Sequence, residues 1–252
     1  MAIRSPCLTC RLTWSSMVSM PSGLVTILLR FSALSANICV SGFGVFMRVI
    51  LSLLLSVVGF FSQTAFSAEP PVLLIMGDSL SAGYGMTSEQ SWVHLLDIRL
   101  KESGHSYHIL NSSISGDTTQ GGLARLPRLL DRYQPEFVIL ELGANDGLRG
   151  IDPGVTRENL KRMIQYSQEI NARVLLAGIK LPPNYGVDYL QKFESIYADL
   201  ADEFGTLLVP FFMDGIVFEP ELLQADRIHP NEKGQPVLLE NVWQVLGPEL
   251  GQ

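Results

Sequence analysis

Short apolar runs alternate with longer amphipathic segments from about residue 72 to the end of this chain. The apolar runs predict strands at 72–76, 107–114, 137–142, 173–178 and 207–210. The segments between and after them predict helices at 92–103, 123–133, 153 to about 171, 188–204 and 231–246. Asp152 followed by Pro153 is a typical helix start, whereas Pro127 predicts an interruption of the second helix.

This alternation of strands and helices predicts the fold class. Strands separated by single helices pair in parallel through right-handed crossovers. Strands that are apolar along nearly their whole length need helices on both faces. We therefore predict one doubly wound α/β domain, with a sheet of about five parallel strands. In such sheets, ligands bind beyond the carboxyl ends of the strands, so the loops there are where chemistry is expected.

The first 68 residues differ in composition from the rest of the chain. They contain no Asp or Glu, and residues 47–68 combine a basic start at Arg48, an apolar run over 49–61 and small or polar residues. This order is typical of a secretory signal peptide; an uncleaved N-terminal anchor is the alternative. Residues 1–46 show neither strand alternation nor helix caps. We interpret them as a non-native upstream extension, with Met47 as the true start and 69–252 as the folded domain.

Charge and cysteine content narrow the functions open to the predicted mature chain. The first 68 residues hold four of the 18 basic residues and none of the 25 acidic ones, which leaves a net charge of about −11. Such a surface repels nucleic acid and is not attracted to anionic lipid. We expect a periplasmic or secreted protein without stable membrane insertion. All three cysteines precede residue 47, which excludes a disulfide or a thiol nucleophile in the mature chain.

Polar and glycine-rich sequences follow the first three predicted strands. Ser79, Gly116 and Asn145 lie there, and a separate pair, Asp226 and His229, lies near the C-terminus. Acyl transfer needs a nucleophile, a base, a group that orients the base, and donors for the oxyanion. Ser79 is the candidate nucleophile and His229 the candidate base, with Asp226 three residues earlier as its orienter. The N–H groups of Ser79 and Gly116 and the amide of Asn145 are candidate oxyanion donors.

Five segments around these residues resemble the SGNH, or GDSL, hydrolase family: GDSLSAGYGM, SGDTTQGGLARLPRLL, ELGANDGLRG, LPPNYG and DRIHPNEKGQP. The resemblance covers nearly all of residues 72–246. It implies a flavodoxin-like sheet, no metal or other cofactor, a Ser79–Asp226–His229 triad, and an oxyanion hole of Ser79, Gly116 and Asn145. Within the family the chain looks like the periplasmic multifunctional group that acts as acyl-CoA thioesterase, arylesterase and lysophospholipase. The implied function is hydrolysis of acyl esters and thioesters through an acyl-enzyme on Ser79.

Two residues depart from the usual sequence of that group, because Ala144 and Arg227 stand where glycine is common. Arg227 matters more, since a glycine there would accept a positive φ that arginine rarely adopts. The loop after the fourth predicted strand is used by related enzymes against the acyl chain. Its prolines predict a non-helical segment. It offers four candidate acyl-chain contacts, which are Leu181, Pro182, Pro183 and Tyr185.

The remaining features have plainer interpretations. Asp78, Asp117 and Asp146 lie beside candidate site residues and are interpreted as acceptors that brace the loops. The apolar stripe at 123–130 is interpreted as part of the core.

Two other functions stay open, a carbohydrate O-acetyl esterase and a catalytically dead module that binds acyl or sugar ligands. The intact triad disfavours the dead module. We expect a monomer that acts on a small-molecule acyl ester or thioester, with no nucleic-acid partner.

Overall fold

A computed structural model of the chain describes residues 69–250. Its strands are β1 (Val72–Gly77), β2 (His108–Asn111), β3 (Phe137–Glu141), β4 (Arg173–Ala177) and β5 (Leu207–Val209). They form one sheet in the order β2-β1-β3-β4-β5, in which every neighbouring pair is parallel. The predicted fold class is confirmed. The predicted signal peptide at 47–68 and the upstream extension at 1–46 lie outside the described residues and stay predictions.

The helices in this part of the chain connect the strands and cover the sheet. They are α1 (Ser79–Ala82), α2 (Trp92–Glu102), α3 (Thr119–Tyr133), α4 (Ala144–Leu148), α5 (Pro153–Glu169), α6 (Val187–Phe204) and α7 (Gln235–Leu246). Short 3₁₀ turns occur at Ser88–Gln90, Pro183–Tyr185, Pro220–Leu222 and Gly247–Glu249. Between residues 69 and 250, no helix combines the length and the apolar character that a membrane crossing requires.

Both faces of the sheet are buried, as nearly continuous apolar strands require. Along β1, Leu74 and Met76 enter one core and Leu73 and Ile75 enter the other, and none of the four is exposed to solvent. Helices α3, α5 and α6 pack on the first core, and α2 and α7 on the second. The apolar stripe at 123–130 faces the first core, which confirms its interpretation as packing.

Prolines account for two differences from the predicted elements. Helix α3 continues through Pro127 without a break, and Pro127 is exposed, so water can bond the carbonyl group that lacks its helical donor. The prediction of a wholly non-helical acyl-chain loop was wrong, because Pro183–Tyr185 forms a 3₁₀ turn. Pro183 is the first residue of that turn, where a missing N–H removes no internal hydrogen bond.

Asparagine side chains shift two further boundaries. Strand β2 ends at Asn111, three residues before the predicted end, because the Asn111 amide donates to the carbonyl of Ser81 at 2.8 Å and accepts from the N–H of Ser113 at 3.1 Å. Helix α7 begins at Gln235 instead of residue 231, since Asn231 donates its amide to two carbonyl groups of the preceding loop. Local polar contacts therefore end or delay elements that the apolar pattern would extend.

The strand order creates a crevice at the carboxyl ends of the strands. The chain places β2 on one side of β1 and β3 on the other, so the loops after β1 and β3 leave the sheet in opposite directions. A crevice opens at such a switch point, beyond the carboxyl ends of the strands. Ser79 and Asn145 lie in the first turns of α1 and α4, at this crevice.

The loop that follows β4 is held closely against the loop that follows β5. The N–H of Gly178 donates to the carbonyl of Val209 at 2.8 Å, and the carbonyl of Gly178 accepts from the N–H of Phe212 at 2.8 Å. A Cβ atom on Gly178 would lie 2.4 Å from the carbonyl oxygen of Pro210. That oxygen belongs to the backbone and cannot rotate away, so the position requires glycine.

We expect Gly178→Ala to lower the free energy of unfolding by about 1–3 kcal/mol, because the added methyl group forces the two loops apart. Urea denaturation of the purified 69–252 chain measures this change. Ser195→Ala, on the exposed side of α6, is the control and should change the free energy by less than about 0.5 kcal/mol. Equal values for the two variants would contradict the close-approach argument.

Candidate active site

Ser79 lies at the junction of β1 and α1. The strand ends at Gly77, and Asp78 caps the helix by accepting a hydrogen bond from the N–H of Leu80 at 3.1 Å. The helix lasts one turn because Gly83 ends it with a left-handed backbone at φ 73°. Ser79 is therefore held at the carboxyl end of a buried strand, and its backbone position is fixed on both sides.

Three of the predicted site residues form one hydrogen-bonded chain. Ser79 Oγ lies 2.8 Å from His229 Nε2, and His229 Nδ1 lies 2.7 Å from Asp226 Oδ2. An ionised carboxylate only accepts hydrogen bonds, so Nδ1 carries the proton and Nε2 is free to accept from the Ser79 hydroxyl. This is the arrangement in which a serine can be deprotonated as it attacks.

Asp226 is kept ionised by its neighbours. Its Oδ1 accepts the N–H groups of Ile228 at 3.0 Å and His229 at 3.1 Å, while Oδ2 accepts from the His229 ring. The hydrogen bond from His229, followed by that from Ile228, lowers the pKa of Asp226 to about 2. The carboxylate is thus charged throughout the range in which His229 must be oriented.

The turn that carries Asp226 and His229 contains the positive φ suspected from the sequence. Arg227 has φ 59°, the left-handed conformation in which an L side chain crowds the backbone. The turn is held by the N–H of Arg227, which donates to the carbonyl of Gln224 at 3.0 Å, and by the N–H of Gln224, which donates to the carbonyl of His229 at 2.8 Å. Surrounding hydrogen bonds therefore hold an arginine where glycine would fit without strain.

The candidate oxyanion donors lie around the same crevice, although they are held by different partners. Asn145 Nδ2 donates to Asp78 Oδ2 at 3.0 Å, which ties it to the residue before Ser79. Gly116 has φ 80° and its carbonyl accepts from the guanidinium group of Arg149 at 2.8 Å. Its loop is tied to the nucleophile strand, since the N–H of Ile114 donates to the carbonyl of Gly77 at 3.1 Å.

Asp117 and Asp146 accept hydrogen bonds as loop-bracing residues would. Asp146 is 1% exposed and accepts the N–H of Thr119 at 2.9 Å and the Thr119 hydroxyl. Asp117 accepts the N–H of Thr118 at 3.0 Å and pairs with Arg125. Both carboxylates fix the start of α3. In the described part of the chain, no three His, Cys, Asp or Glu side chains converge as metal ligands do.

Sequence reasoning missed three residues that contact the site. The ring of Tyr84 lies 4.5 Å from the ring of His229, centroid to centroid, and Arg149 holds the loop of Gly116. Glu141 is fully buried and accepts hydrogen bonds from the N–H of Asp78 and the hydroxyl of Ser81, the residues before and two after Ser79. Only Glu141 had a signal in the sequence, as the one charged residue in an otherwise apolar strand. Tyr84 and Arg149 become visible only when the loops are brought together.

Comparison with known proteins places the chain in a family. A profile of the GDSL-like Lipase/Acylhydrolase family matches residues 75–237. The chain belongs to this family. It is 49% identical over 183 residues to Esterase TesA of Pseudomonas aeruginosa, an alignment that covers 73% of this chain and 91% of that protein. It is 45% identical over 182 residues to the Thioesterase 1/protease 1/lysophospholipase L1 of Escherichia coli, covering 72% and 86% of the two chains.

Structural comparison agrees with this assignment. The crystal structure of TesA superimposes with a TM-score of 0.69 at 50% sequence identity, and the match covers 71% of this chain and 99% of that one. The chain is therefore a GDSL-family hydrolase, an enzyme that acts on ester bonds, and the predicted family resemblance is confirmed.

The predicted acyl-chain loop of this GDSL-family hydrolase lies against the helix that carries Asn145. Leu181 is 9% exposed and packs on Gly147, where a Cβ atom would lie 2.5 Å from the Leu181 side chain. The Tyr185 hydroxyl donates to the carbonyl of Leu148 at 3.0 Å. Pro182 and Pro183, the other two members, are exposed. Contact of the loop with an acyl chain stays a prediction.

Replacing Arg227 by glycine should stabilise the enzyme. The left-handed conformation costs an L residue about 1–2 kcal/mol, and the greater freedom of glycine in the unfolded chain offsets roughly 0.5–1 kcal/mol of the gain. We expect Arg227→Gly to raise the free energy of unfolding by about 0.5–1 kcal/mol, measured by urea denaturation. Arg227→Ala keeps the Cβ atom and is the matched control. A gain in the alanine variant as large as in the glycine variant would assign the effect to charge instead of backbone conformation.

Proposed function

We propose that this protein hydrolyses acyl esters and thioesters through an acyl-enzyme on Ser79, with His229 as the base and Asp226 as its orienter. The observation that carries the proposal is the continuous hydrogen-bonded chain from Ser79 Oγ through the imidazole to Asp226, with distances of 2.8 and 2.7 Å. Membership of the acylhydrolase family and the E. coli relative named thioesterase and lysophospholipase support the choice of substrate class.

The reaction follows from this geometry. As Ser79 Oγ attacks the acyl carbon, its proton passes to His229 Nε2, and the resulting imidazolium is stabilised by the Asp226 carboxylate. When the tetrahedral intermediate collapses, the C–O or C–S bond breaks and the imidazolium protonates the leaving alcohol or thiol. Water then attacks the acyl-enzyme and gives a proton to Nε2. That proton returns to Ser79 Oγ as the carboxylic acid leaves.

The negative charge that develops on the acyl oxygen needs donors already in place. We assign this role to the N–H groups of Ser79 and Gly116 and to the side-chain amide of Asn145. Ser79 is the first residue of α1 after β1, Gly116 lies in the loop after β2, and Asn145 lies in the first turn of α4 after β3. Donors that are fixed before the reaction stabilise the transition state more than the substrate, and therefore raise kcat.

The sequence supports a proposed location for the enzyme, and the hydrogen-bonded triad supports a proposed assembly. The order of charge, apolar run and small residues over 47–68 supports export, and so a periplasmic or secreted enzyme. The acidic charge of the mature chain supports neither a nucleic-acid partner nor binding to anionic lipid. A monomer is the simplest assembly, because all three triad residues come from one chain.

Replacing Ser79 or His229 by alanine should each lower kcat by roughly 10³-fold or more, because the two groups act as one unit. Asp226→Ala should lower kcat somewhat less.

Activity of the parent enzyme should fall in acid, since a protonated imidazole cannot accept the serine proton, and EDTA should have no effect. The assay is release of 4-nitrophenol from a short-chain ester. Full activity of Ser79→Ala, or loss of parent activity in EDTA, would overturn the mechanism; an inactive but ligand-binding parent would instead indicate a dead module.

The acyl-chain loop should make catalytic efficiency depend on chain length. Each buried methylene contributes up to about 0.8 kcal/mol, so kcat/KM should rise up to about fourfold per CH₂ until the groove is full. Tyr185→Ala should flatten this rise and leave acetyl esters almost unchanged. Leu181→Ala should flatten it too, but Leu181 is buried against Gly147 and its loss also disturbs α4, so Tyr185 is the cleaner probe.

The measurement is kcat/KM for a series of 4-nitrophenyl esters from acetyl to palmitoyl, extended to acyl-CoA thioesters, lysophospholipids and acetylated sugars. Tyr166→Ala, which removes a half-buried tyrosine from α5, is the control. If Tyr185→Ala lowers acetyl and long-chain substrates equally, the loop supports the fold and does not contact the chain. Activity confined to acetylated sugars would identify an O-acetyl esterase.

A further inference from the structure

Two buried carboxyl groups lie next to Ser79 along the chain or contact its neighbours, and they take no part in the mechanism above. Asp78 precedes Ser79 and is 1% exposed, and Glu141 ends β3 and is 0% exposed. They belong to different elements, 63 positions apart, yet the N–H of Asp78 points at Glu141 Oε2 at 3.3 Å. Within residues 69–250, neither forms an ion pair with a lysine or arginine. Two buried negative charges in contact without a cation would be highly unfavourable.

The hydrogen bonds distinguish the two groups. Both oxygens of Asp78 accept, Oδ1 from the N–H of Leu80 at 3.1 Å and Oδ2 from Asn145 Nδ2 at 3.0 Å. Glu141 Oε2 accepts from the Ser81 hydroxyl at 2.7 Å, but Glu141 Oε1 is buried without a hydrogen-bond partner. Each oxygen of Asp78 thus accepts a hydrogen bond, whereas Glu141 has one oxygen on which a proton disturbs no contact.

The environment of each carboxyl group favours the same assignment, which is a charge on Asp78 and a proton on Glu141. Burial, and next the charge of Asp78, raise the pKa of Glu141 well above its ordinary value. Burial raises the pKa of Asp78, and the hydrogen bonds from Leu80 and Asn145 oppose this rise, so that the resulting pKa is about 6. Other titratable groups nearby are the buried carboxyl of Asp146 and the buried hydroxyl of Tyr197, and the pKa of Tyr197 is raised by burial and next by the charge of Asp146.

We propose that Asp78 is a positioning residue for the oxyanion hole: its carboxylate orients the amide of Asn145, and Glu141 beneath it holds a proton so that only one negative charge is buried there. By accepting from Nδ2, Asp78 turns the nitrogen of the amide, and not its oxygen, toward the nucleophile side. The second N–H of the same nitrogen is then left for the acyl oxygen. This inference rests on the proposed function, in which Asn145 binds the oxyanion.

Asp78→Asn tests the orientation directly. Asparagine is also a good helix cap, so its Oδ1 still accepts from Leu80, but its NH₂ group then faces Asn145 Nδ2. Two donors cannot bond each other, and Asn145 must present its oxygen. We expect kcat to fall about 10- to 10²-fold with KM changed by less than about twofold. Asn145→Ala alone should lower kcat by about 10²-fold.

The double variant separates orientation from general damage. If Asp78 acts through Asn145, the double variant Asp78→Asn/Asn145→Ala should be no slower than Asn145→Ala, within about threefold. Multiplying effects would overturn the proposal, as would a pure KM effect in Asp78→Asn. The acid side of the pH profile gives an independent readout. The kcat/KM of the parent should fall more steeply in acid than that of Asp78→Asn, because burial raises the pKa of Asp78 and its protonation removes the carboxylate that orients Asn145.

Glu141→Gln tests the proton without relying on activity. A carboxyl whose pKa is raised on folding contributes stability below its ordinary value of 4.5, and that stability is lost as the pH rises toward the folded value. Glutamine has no proton to lose. The melting temperature of Glu141→Gln relative to the parent should therefore increase from pH 5 to pH 8. Glu158→Gln, an exposed carboxyl on α5, should show a difference that is nearly independent of pH.

If the melting temperature of Glu141→Gln relative to the parent stays constant or decreases as the pH rises, Glu141 is ionised in the folded enzyme. That result would overturn the proposal that Glu141 holds a proton. This measurement does not depend on the reaction, so it stands even if Ser79→Ala proves active and the proposed function fails. Conversely, if Ser79→Ala is inactive and the Asp78 and Asn145 effects multiply, the proposed function stands and the positioning role of Asp78 fails.

Discussion

The hydrogen bond between Ser79 Oγ and His229 Nε2 joins residues 150 positions apart, and the hydrogen-bonded chain from Ser79 to Asp226 exists only while this bond is made. Ser79 is the first residue of α1, just beyond β1, which lies between β2 and β3 in the sheet. His229 lies in the loop before α7, and the side chain of Gln235 at the start of α7 accepts the N–H of Trp92 at the start of α2 at 2.8 Å. Because a misplacement of about 1 Å can cost a hundredfold in rate, the proposed mechanism depends on the packing of α2 against α7 as well as on the site itself.

The same site contains carboxyl groups in two opposite environments. Asp226 lies in a partly exposed turn, where backbone N–H groups and the imidazole keep it ionised. Asp78 and Glu141 lie in the interior, where burial raises the pKa of each. The physical difference is the loss of water, which penalises charge unless hydrogen bonds replace it. Asp78 accepts a hydrogen bond on each oxygen, whereas both hydrogen bonds to Glu141 fall on Oε2 and leave Oε1 without a partner. This difference is why we assign the negative charge to Asp78 and a proton to Glu141.

Several features were readable from the sequence because they depend on local physical rules. Apolar runs separated by helical periodicity predicted the five parallel strands and the helices on both faces. The position of polar loops after these strands predicted which residues would meet. The positive φ at Arg227 was also suspected, because arginine stands there where the related group commonly has glycine. The matched family profile and the hydrogen bonds among Ser79, His229 and Asp226 agree with these predictions.

Other features were decided only by the tertiary structure. The prolines at 127 and 183 do not break helical structure, because one lies on the solvent face of α3 and the other at the first position of a turn. The packing of Leu181 on Gly147 had no signal in the sequence, whereas its contact with an acyl chain stays a prediction. The contact between Asp78 and Glu141 joins β1 to β3 and had no signature in either segment alone. Sequence by itself determined which residue types stand at each strand end; their distances, burial and protonation were determined by which loops the sheet brings together, because solvent exclusion and hydrogen bonding depend on neighbours that are remote in the chain.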